Sequence, residues 1–304
     1  MMIAIDLGSN TLRVLAYDCH TSQPIADFER IVKTADGLRE TGSISPEAIS
    51  RIITAIREAQ AQIDFAGHSV SAVTTEALRQ AANATEELES IARQTGILFE
   101  VISGEEEAAL TLGAVAHRLH RLGITDEYFV LVDIGGGSTE LIFRSPEGMQ
   151  SRSFPVGIVT VAQQYKTLDA IQKGLVSEMA PLRTFTQELT QAHGKPDTFV
   201  ATAGTPTTIA AMKLGLCYAE YDAGRINGTT LQAKELPDYL QRLLAYDLQE
   251  RERMVGVGRG DLIAAGILIF QEIFSILESS ECIVIDDGLR EGVALQGCRA
   301  LKSA

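Results

Sequence analysis

One local pattern occurs twice in this chain and constrains what the rest can be. A short apolar strand, Met2 to Ile5, ends in Asp6-Leu7-Gly8-Ser9-Asn10-Thr11, and Leu12 to Tyr17 leaves as a second strand. Farther on, Tyr128-Phe129-Val130-Leu131-Val132 leads into Asp133-Ile134-Gly135-Gly136-Gly137-Ser138-Thr139-Glu140, and Leu141-Ile142-Phe143 leads out. Both stretches read as strand, tight turn, strand. Glycines remove Cβ atoms from such a turn, so backbone N–H groups can approach a ligand closely. An aspartate beside a nest of N–H groups suits a metal-bound phosphate, with Ser138 and Thr139 adding hydroxyl donors. A lone turn of this kind reads more simply as a hairpin without a ligand. Two matching turns shift the balance. Asp6 and Asp133 stand too far apart for a solenoid repeat and at a distance that suits two duplicated domains.

The chain has 304 residues, enough for two ordinary domains. It is 45% hydrophobic and 22% charged, as in globular proteins. A net charge of −14 makes it a poor general partner for nucleic acid or an anionic membrane. A polyanionic substrate would have to be met by a local basic site, with metal ions, against an unfavourable overall field. Cys19, Cys217, Cys282 and Cys298 are scattered, with no C-x-x-C pair. That pattern predicts reduced thiols in a cytoplasm rather than a disulfide framework or a zinc site. His117 and His120, among Arg118 and Arg121, read as a solvated helix end. The N-terminus has no basic segment or cleavage site of a signal peptide, and no apolar run reaches the length of a membrane span.

Taken in order, residues 25–34 complete a first meander. Ser45-Pro46-Glu47 opens a helix over about 46–64, with Ser at N-cap and Pro at N1. A strand from Ser69 leads to Thr75-Glu76-Ala77-Leu78-Arg79. Arg79 reads either as a solvated helix arginine or as a phosphate clamp near a strand's carboxyl end. A helix at about 84–95 and a strand from Leu98 to Ile102 precede Ser103-Gly104-Glu105-Glu106-Glu107-Ala108, which enters an apolar helix. Acidic residues suit a first helical turn, which accounts for one or two of these glutamates. Another could orient or deprotonate a water. Residues 118–127 are polar and read as the link between halves. Met149 to Phe154 closes the second meander, and a strand from Pro196 to Ala201 ends in Thr202-Ala203-Gly204-Thr205 before a helix from Ile209. Such a small-residue turn can take a nucleotide or phosphate, or can be a tight packing turn. Cys282 to Asp286 reads as the last strand, and about 291–302 as the C-terminal helix.

Together these stretches resemble the exopolyphosphatase/guanosine pentaphosphatase (Ppx/GppA) family, within the actin, sugar-kinase and Hsp70-like ATPase superfamily. The resemblance runs through Asp6–Asn10, Thr75–Arg79, Ser103–Ala108, Asp133–Glu140, Ala203–Thr205 and Gly288–Gly292, so it covers essentially the whole chain. It implies an α/β fold of two actin-like (ribonuclease H-like) domains facing an interdomain cleft. The first would span 1–124, with helix 289–304 packing back on it, and the second 125–288. Asp6, Gly8, Ser9, Asn10 and Thr11 would form one phosphate loop, and Gly135, Gly136, Gly137, Ser138 and Thr139 the other. Arg79 would hold a substrate phosphate. Glu107, with Glu106 the alternative, would be the general base. Asp133 and Glu140 would bind Mg2+ or position the water, and Gly204 and Thr205 would meet a nucleotide or the distal substrate. The implied reaction is hydrolysis of a terminal phosphoanhydride, in inorganic polyphosphate or guanosine pentaphosphate. Such chemistry is mainly positioning and charge neutralisation.

Longer members of the family add a helical C-terminal region, and this chain looks like the short, two-domain type, which fits shorter polyphosphates or a nucleotide. The resemblance also implies a homodimer. Cleft closure on substrate is expected, with hinges near 118–127 and before the C-terminal helix. Two other readings compete. A small-molecule kinase of the same fold would need an acceptor pocket in place of a water-activating glutamate beside an arginine. A non-catalytic alarmone sensor would have no use for the acidic constellation.

Overall fold

The computed structural model describes residues 1–125 and 127–303. Asp126, inside the expected link, and Ala304, at the end of the expected returning helix, lie outside the described residues. In chain order the first elements are β1 Met2–Leu7, β2 Thr11–Asp18, β3 Gln23–Ile31, α1 Leu38–Thr41, α2 Pro46–Gln62, β4 Ser69–Thr74, α3 Glu76–Gln80, α4 Ala84–Thr95, β5 Phe99–Val101 and α5 Gly104–Arg121. Next come β6 Phe129–Ile134, β7 Thr139–Ser145, β8 Gly148–Phe154, α6 Ile158–Gln164, α7 Leu168–Glu178, α8 Ala180–His193, β9 Thr198–Thr202 and α9 Gly204–Lys213. The last are α10 Ala223–Ile226, β10 Thr229–Gln232, α11 Leu236–Ala245, α12 Leu248–Val255, α13 Ile263–Ile276, β11 Glu281–Val284 and α14 Leu289–Ser303.

The chain folds into two units, Met1–Ala114 with Gly288–Ala304, and Val115–Asp287. The first unit holds one sheet in the order β3-β2-β1-β4-β5, and the second holds β8-β7-β6-β9-β11, with β10 added at the far edge. In each, the leading strand pairs antiparallel with the next strand of its meander and parallel with the strand that follows by crossover. The repeated turn motif therefore belongs to a repeated sheet. In an α/β sheet, ligands gather beyond the carboxyl ends of parallel strands. Here those ends carry Asp6, Thr75–Arg79 and Ser103–Glu107 in the first unit. In the second they carry Asp133–Ser138, Ala203–Gly204 and Asp286–Asp287.

Why β1 runs to Leu7 follows from its two faces. Ile3, Ile5 and Leu7 pack toward Ile49, Ile52 and Ile56 of α2 and Ile91 of α4. Met2 and Ala4, on the other face, meet Leu289, Val293 and Ala294 of α14. Period-two alternation thus buries both sides of one strand. The helix α2 starts where sequence places it: Ser45 Oγ accepts from Ala48 N at 3.2 Å, with Pro46 in the first turn. In the second unit, α13 is apolar all round from Ile263 to Phe270 and buried there, with Gln271, Glu272 and Ser275 giving its last turns a polar side.

One expectation, that all four cysteines are reduced, is corrected. Cys19 and Cys298 form a disulfide, with Cα atoms 5.2 Å apart. Cys19 follows β2 directly, and α14 lies over β1 and β2, so the fold joins residues that 279 positions separate. Cys217 and Cys282 remain thiols, and burial pushes the Cys282 thiol up. The helix end expected at His117 to Arg121 is solvated at His120 and Arg121, the last residues of α5, while His117 and Arg118 are half-buried. Leu119 is fully buried, and Arg118 forks onto Asp287, with Nη2 donating to Oδ1 at 3.0 Å.

Candidate functional site

The two turns are built alike. Gly8 N donates to Thr11 O at 3.0 Å, and Gly135 N to Ser138 O at 2.9 Å. Each closes a four-residue loop between paired strand residues, Leu7 with Leu12 and Ile134 with Thr139. The chain just beyond each third strand then takes the loop's carbonyls. Val32 N and Lys33 N donate to Asn10 O, and Ala35 N to Ser9 O, all at 2.9 Å. Ile158 N donates to Gly135 O at 3.0 Å and Val159 N to Gly136 O at 2.8 Å. Every peptide bond among the described residues is trans, so a carbonyl and the N–H that follows it point opposite ways. The N–H groups of Asn10 and Thr11, and of Gly136 and Gly137, are thereby turned away from the segments that hold the carbonyls. This is how an anion nest is made.

Gly157 is the residue that lets α6 come this close, since a Cβ there would lie 2.4 Å from Gly136 O. Nothing in the sequence between Phe154 and Ile158 marks it as part of the turn. Thr139 departs from expectation. It is fully buried and donates from Oγ1 to Val156 O at 2.6 Å. Alternation along β7 sends Thr139 inward and leaves Ser138 and Glu140 on the accessible side, so Thr139 shapes the loop rather than offering it a hydroxyl.

The aspartates that head the turns have different partners. Asp133 lies opposite Glu140 in the β6–β7 register. Glu140 Oε1 accepts from Ser138 Oγ and Ser153 Oγ, both at 2.6 Å. At the matching place in the first unit, Asp6 lies opposite Arg13, which lies opposite Glu29 in the next strand. Arg13 Nε donates to Glu29 Oε2 at 3.0 Å. Burial pulls the Arg13 guanidinium down, but Glu29 and Asp6 more than offset this and raise it further above its ordinary range. One turn thus holds two carboxylates and the other a carboxylate with its own cation. Mg2+ commonly takes one or two carboxylates and completes its shell with water and substrate phosphate. Asp133 and Glu140 fit that donor set. Among the described residues no group of three or more His, Cys, Asp or Glu could hold a metal as a closed cage.

Arg79, at the end of α3, and the glutamates of α5 come together in the first unit. Arg79 Nη1 donates to Ile102 O at 2.5 Å, and Nη2 lies 3.5 Å from Glu107 Oε2. Glu76, unassigned from sequence, holds the same guanidinium. Glu106 is occupied differently. Ser103 N and Oγ both donate to Glu106 Oε2 at 2.8 Å, and Glu106 N donates back to Ser103 Oγ. This is a capping box, and these bonds hold the Glu106 carboxyl below the ordinary glutamate range. Glu105 is exposed. Glu107 is left as the half-buried carboxylate beside Arg79.

Gly204 and Thr205 form the first turn of α9 rather than a loop before it. Thr205 is fully buried, and a Cβ on Gly266 of α13 would lie 2.2 Å from its Oγ1. What this turn can offer a ligand is backbone. Ala203, just before it, adopts φ 70° and ψ −173°, a region that glycine favours.

A duplicated actin-like sheet, each copy headed by an aspartate and a backbone nest, defines a class of phosphate-handling α/β proteins. The chain belongs to the Ppx/GppA phosphatase family, whose profile matches residues 14–299. It is similar to exopolyphosphatase 2 of Mycobacterium tuberculosis, at 30% identity over 96% of this chain and 97% of the relative. It is also similar to the guanosine-5'-triphosphate,3'-diphosphate pyrophosphatase of Vibrio vulnificus, at 29% identity over 96% of this chain and 58% of that one. Among solved structures, the Aquifex aeolicus Ppx/GppA family member superposes with a TM-score of 0.75 at 31% identity, covering 99% and 98% of the two chains.

Proposed function

We propose that this protein hydrolyses terminal phosphoanhydrides, releasing orthophosphate from inorganic polyphosphate or from guanosine pentaphosphate with Mg2+. The observation that carries this reading is Glu107 held beside Arg79 at the carboxyl edge of the first sheet. A carboxylate there can take a proton from water while the water oxygen bonds to the terminal phosphorus. The bond from that phosphorus to its bridging oxygen breaks, and the shortened chain leaves with the electron pair. The two backbone nests suit the phosphate oxygens, and Arg79 offsets charge on the group being transferred. Asp133 and Glu140 are the residues that would hold Mg2+, which supplies further neutralisation of the phosphates when bound.

Inorganic polyphosphate and guanosine pentaphosphate are the two candidate substrates, and the test sets them side by side. Purified protein is given Mg2+ and either polyphosphate or guanosine pentaphosphate, and orthophosphate is measured. Release that stops on chelation supports the proposal. Absence of release from both, or an ATP-dependent phosphorylated product, overturns it in favour of a sensor or a kinase.

A further inference from the structure

Arg79 already holds an anion. Glu76 lies one turn earlier in α3, and its Oε2 accepts from Arg79 Nε at 3.2 Å and from Nη2 at 2.5 Å. The Nη1 end is tied to Ile102 O. A guanidinium binds phosphate best through two parallel N–H donors. Here Glu76 occupies that edge of the fork, while the opposite end is fixed to the backbone where β5 gives way to α5. Glu76 is the movable member of the set. Its side chain is 39% exposed, against 28% for Arg79, and its other oxygen accepts from Gln80, itself on the surface.

We propose that Glu76 is a built-in stand-in for phosphate. It fills the Arg79 fork between turnovers, leaves it when a terminal phosphate arrives, and competes with orthophosphate after the reaction. This rests on the hydrolase reading above, and it makes Glu76 a positioning residue that sets how tightly the site keeps phosphate. A carboxylate that only braced Arg79 would have the opposite effect when removed, because a loosened guanidinium binds phosphate less well.

The experiment uses the full chain and two readouts. Inorganic phosphate and tripolyphosphate are titrated calorimetrically, without divalent metal, into wild type, Glu76→Gln and Glu76→Gln combined with Arg79→Met. Orthophosphate inhibition and KM are measured on the same proteins with Mg2+. The proposal expects Glu76→Gln to bind inorganic phosphate about fivefold more tightly, with a matching fall in KM and in the orthophosphate inhibition constant. The gain should vanish in the double variant. Unchanged or weaker phosphate binding by Glu76→Gln overturns it, as does a gain that survives loss of Arg79. If no protein in the series turns over substrate, the hydrolase reading fails, while the calorimetric arm still decides whether Glu76 competes with phosphate.

Discussion

Asp133 stands directly opposite Glu140 across β6 and β7, at the register position where Asp6 stands opposite Arg13 across β1 and β2. Like charges placed opposite one another in a sheet are unfavourable, so a bound cation would stabilise the Asp133–Glu140 pair, whereas Asp6 already faces the cation Arg13. The duplicated turn has therefore diverged in charge while keeping its backbone, and the proposed magnesium belongs to the second copy.

Glu140→Gln should raise the Mg2+ concentration for half-maximal orthophosphate release by about 10- to 100-fold, with Asp133→Asn at least as severe. Metal titrations of activity check this. An unchanged midpoint in both variants would place the metal elsewhere.

Gly157→Ala puts a methyl group 2.4 Å from Gly136 O, so the Gly135–Ser138 turn must shift. A displacement of this kind costs activity about 100-fold, while overpacking costs about 1–3 kcal/mol of stability. Kinetics and a thermal melt on the same preparation separate the two effects.

The Cys19–Cys298 disulfide ties α14 to the end of β2. Reduction, or Cys298→Ser, should lower the stability of the first unit by about 2–4 kcal/mol. Melts with and without dithiothreitol check this, and the reductant should have no effect on the Cys298→Ser melt.

Ala203 holds φ 70° and ψ −173° at the entrance to α9. Relieving that conformation with Ala203→Gly should stabilise the second unit by about 1 kcal/mol. Denaturant unfolding measures it, and a loss of stability would show that the alanine methyl packs more usefully than the strain suggests.

What the sequence made legible was local. The paired turns, the Ser45–Pro46 helix start and both meanders announce themselves through spacing and residue type within a few positions. What it hid was set by neighbours distant in the chain. Residues 32–35 and 158–160 anchor the turn carbonyls, yet carry no motif that ties them to those turns. Thr139 and Ser138 look interchangeable as hydroxyl donors until strand alternation sends one inward. Thr205 looks available until α13 closes over it at Gly266. Cys19 and Cys298 are joined only because the last helix returns to the first sheet. Glu106 and Glu107 were separable in principle, since Ser103 three residues before Glu106 spells a capping box, but only the structure shows Arg79 beside Glu107.

Glu107 is the proposed water-activating carboxylate, and orthophosphate release by Glu107→Gln set against Glu106→Gln decides whether it has that role. The prediction is a fall of about 100- to 10,000-fold for Glu107→Gln with an unaltered thermal melt, and largely preserved release for Glu106→Gln. Near-wild-type release by Glu107→Gln, or an equal loss in Glu106→Gln, would contradict it.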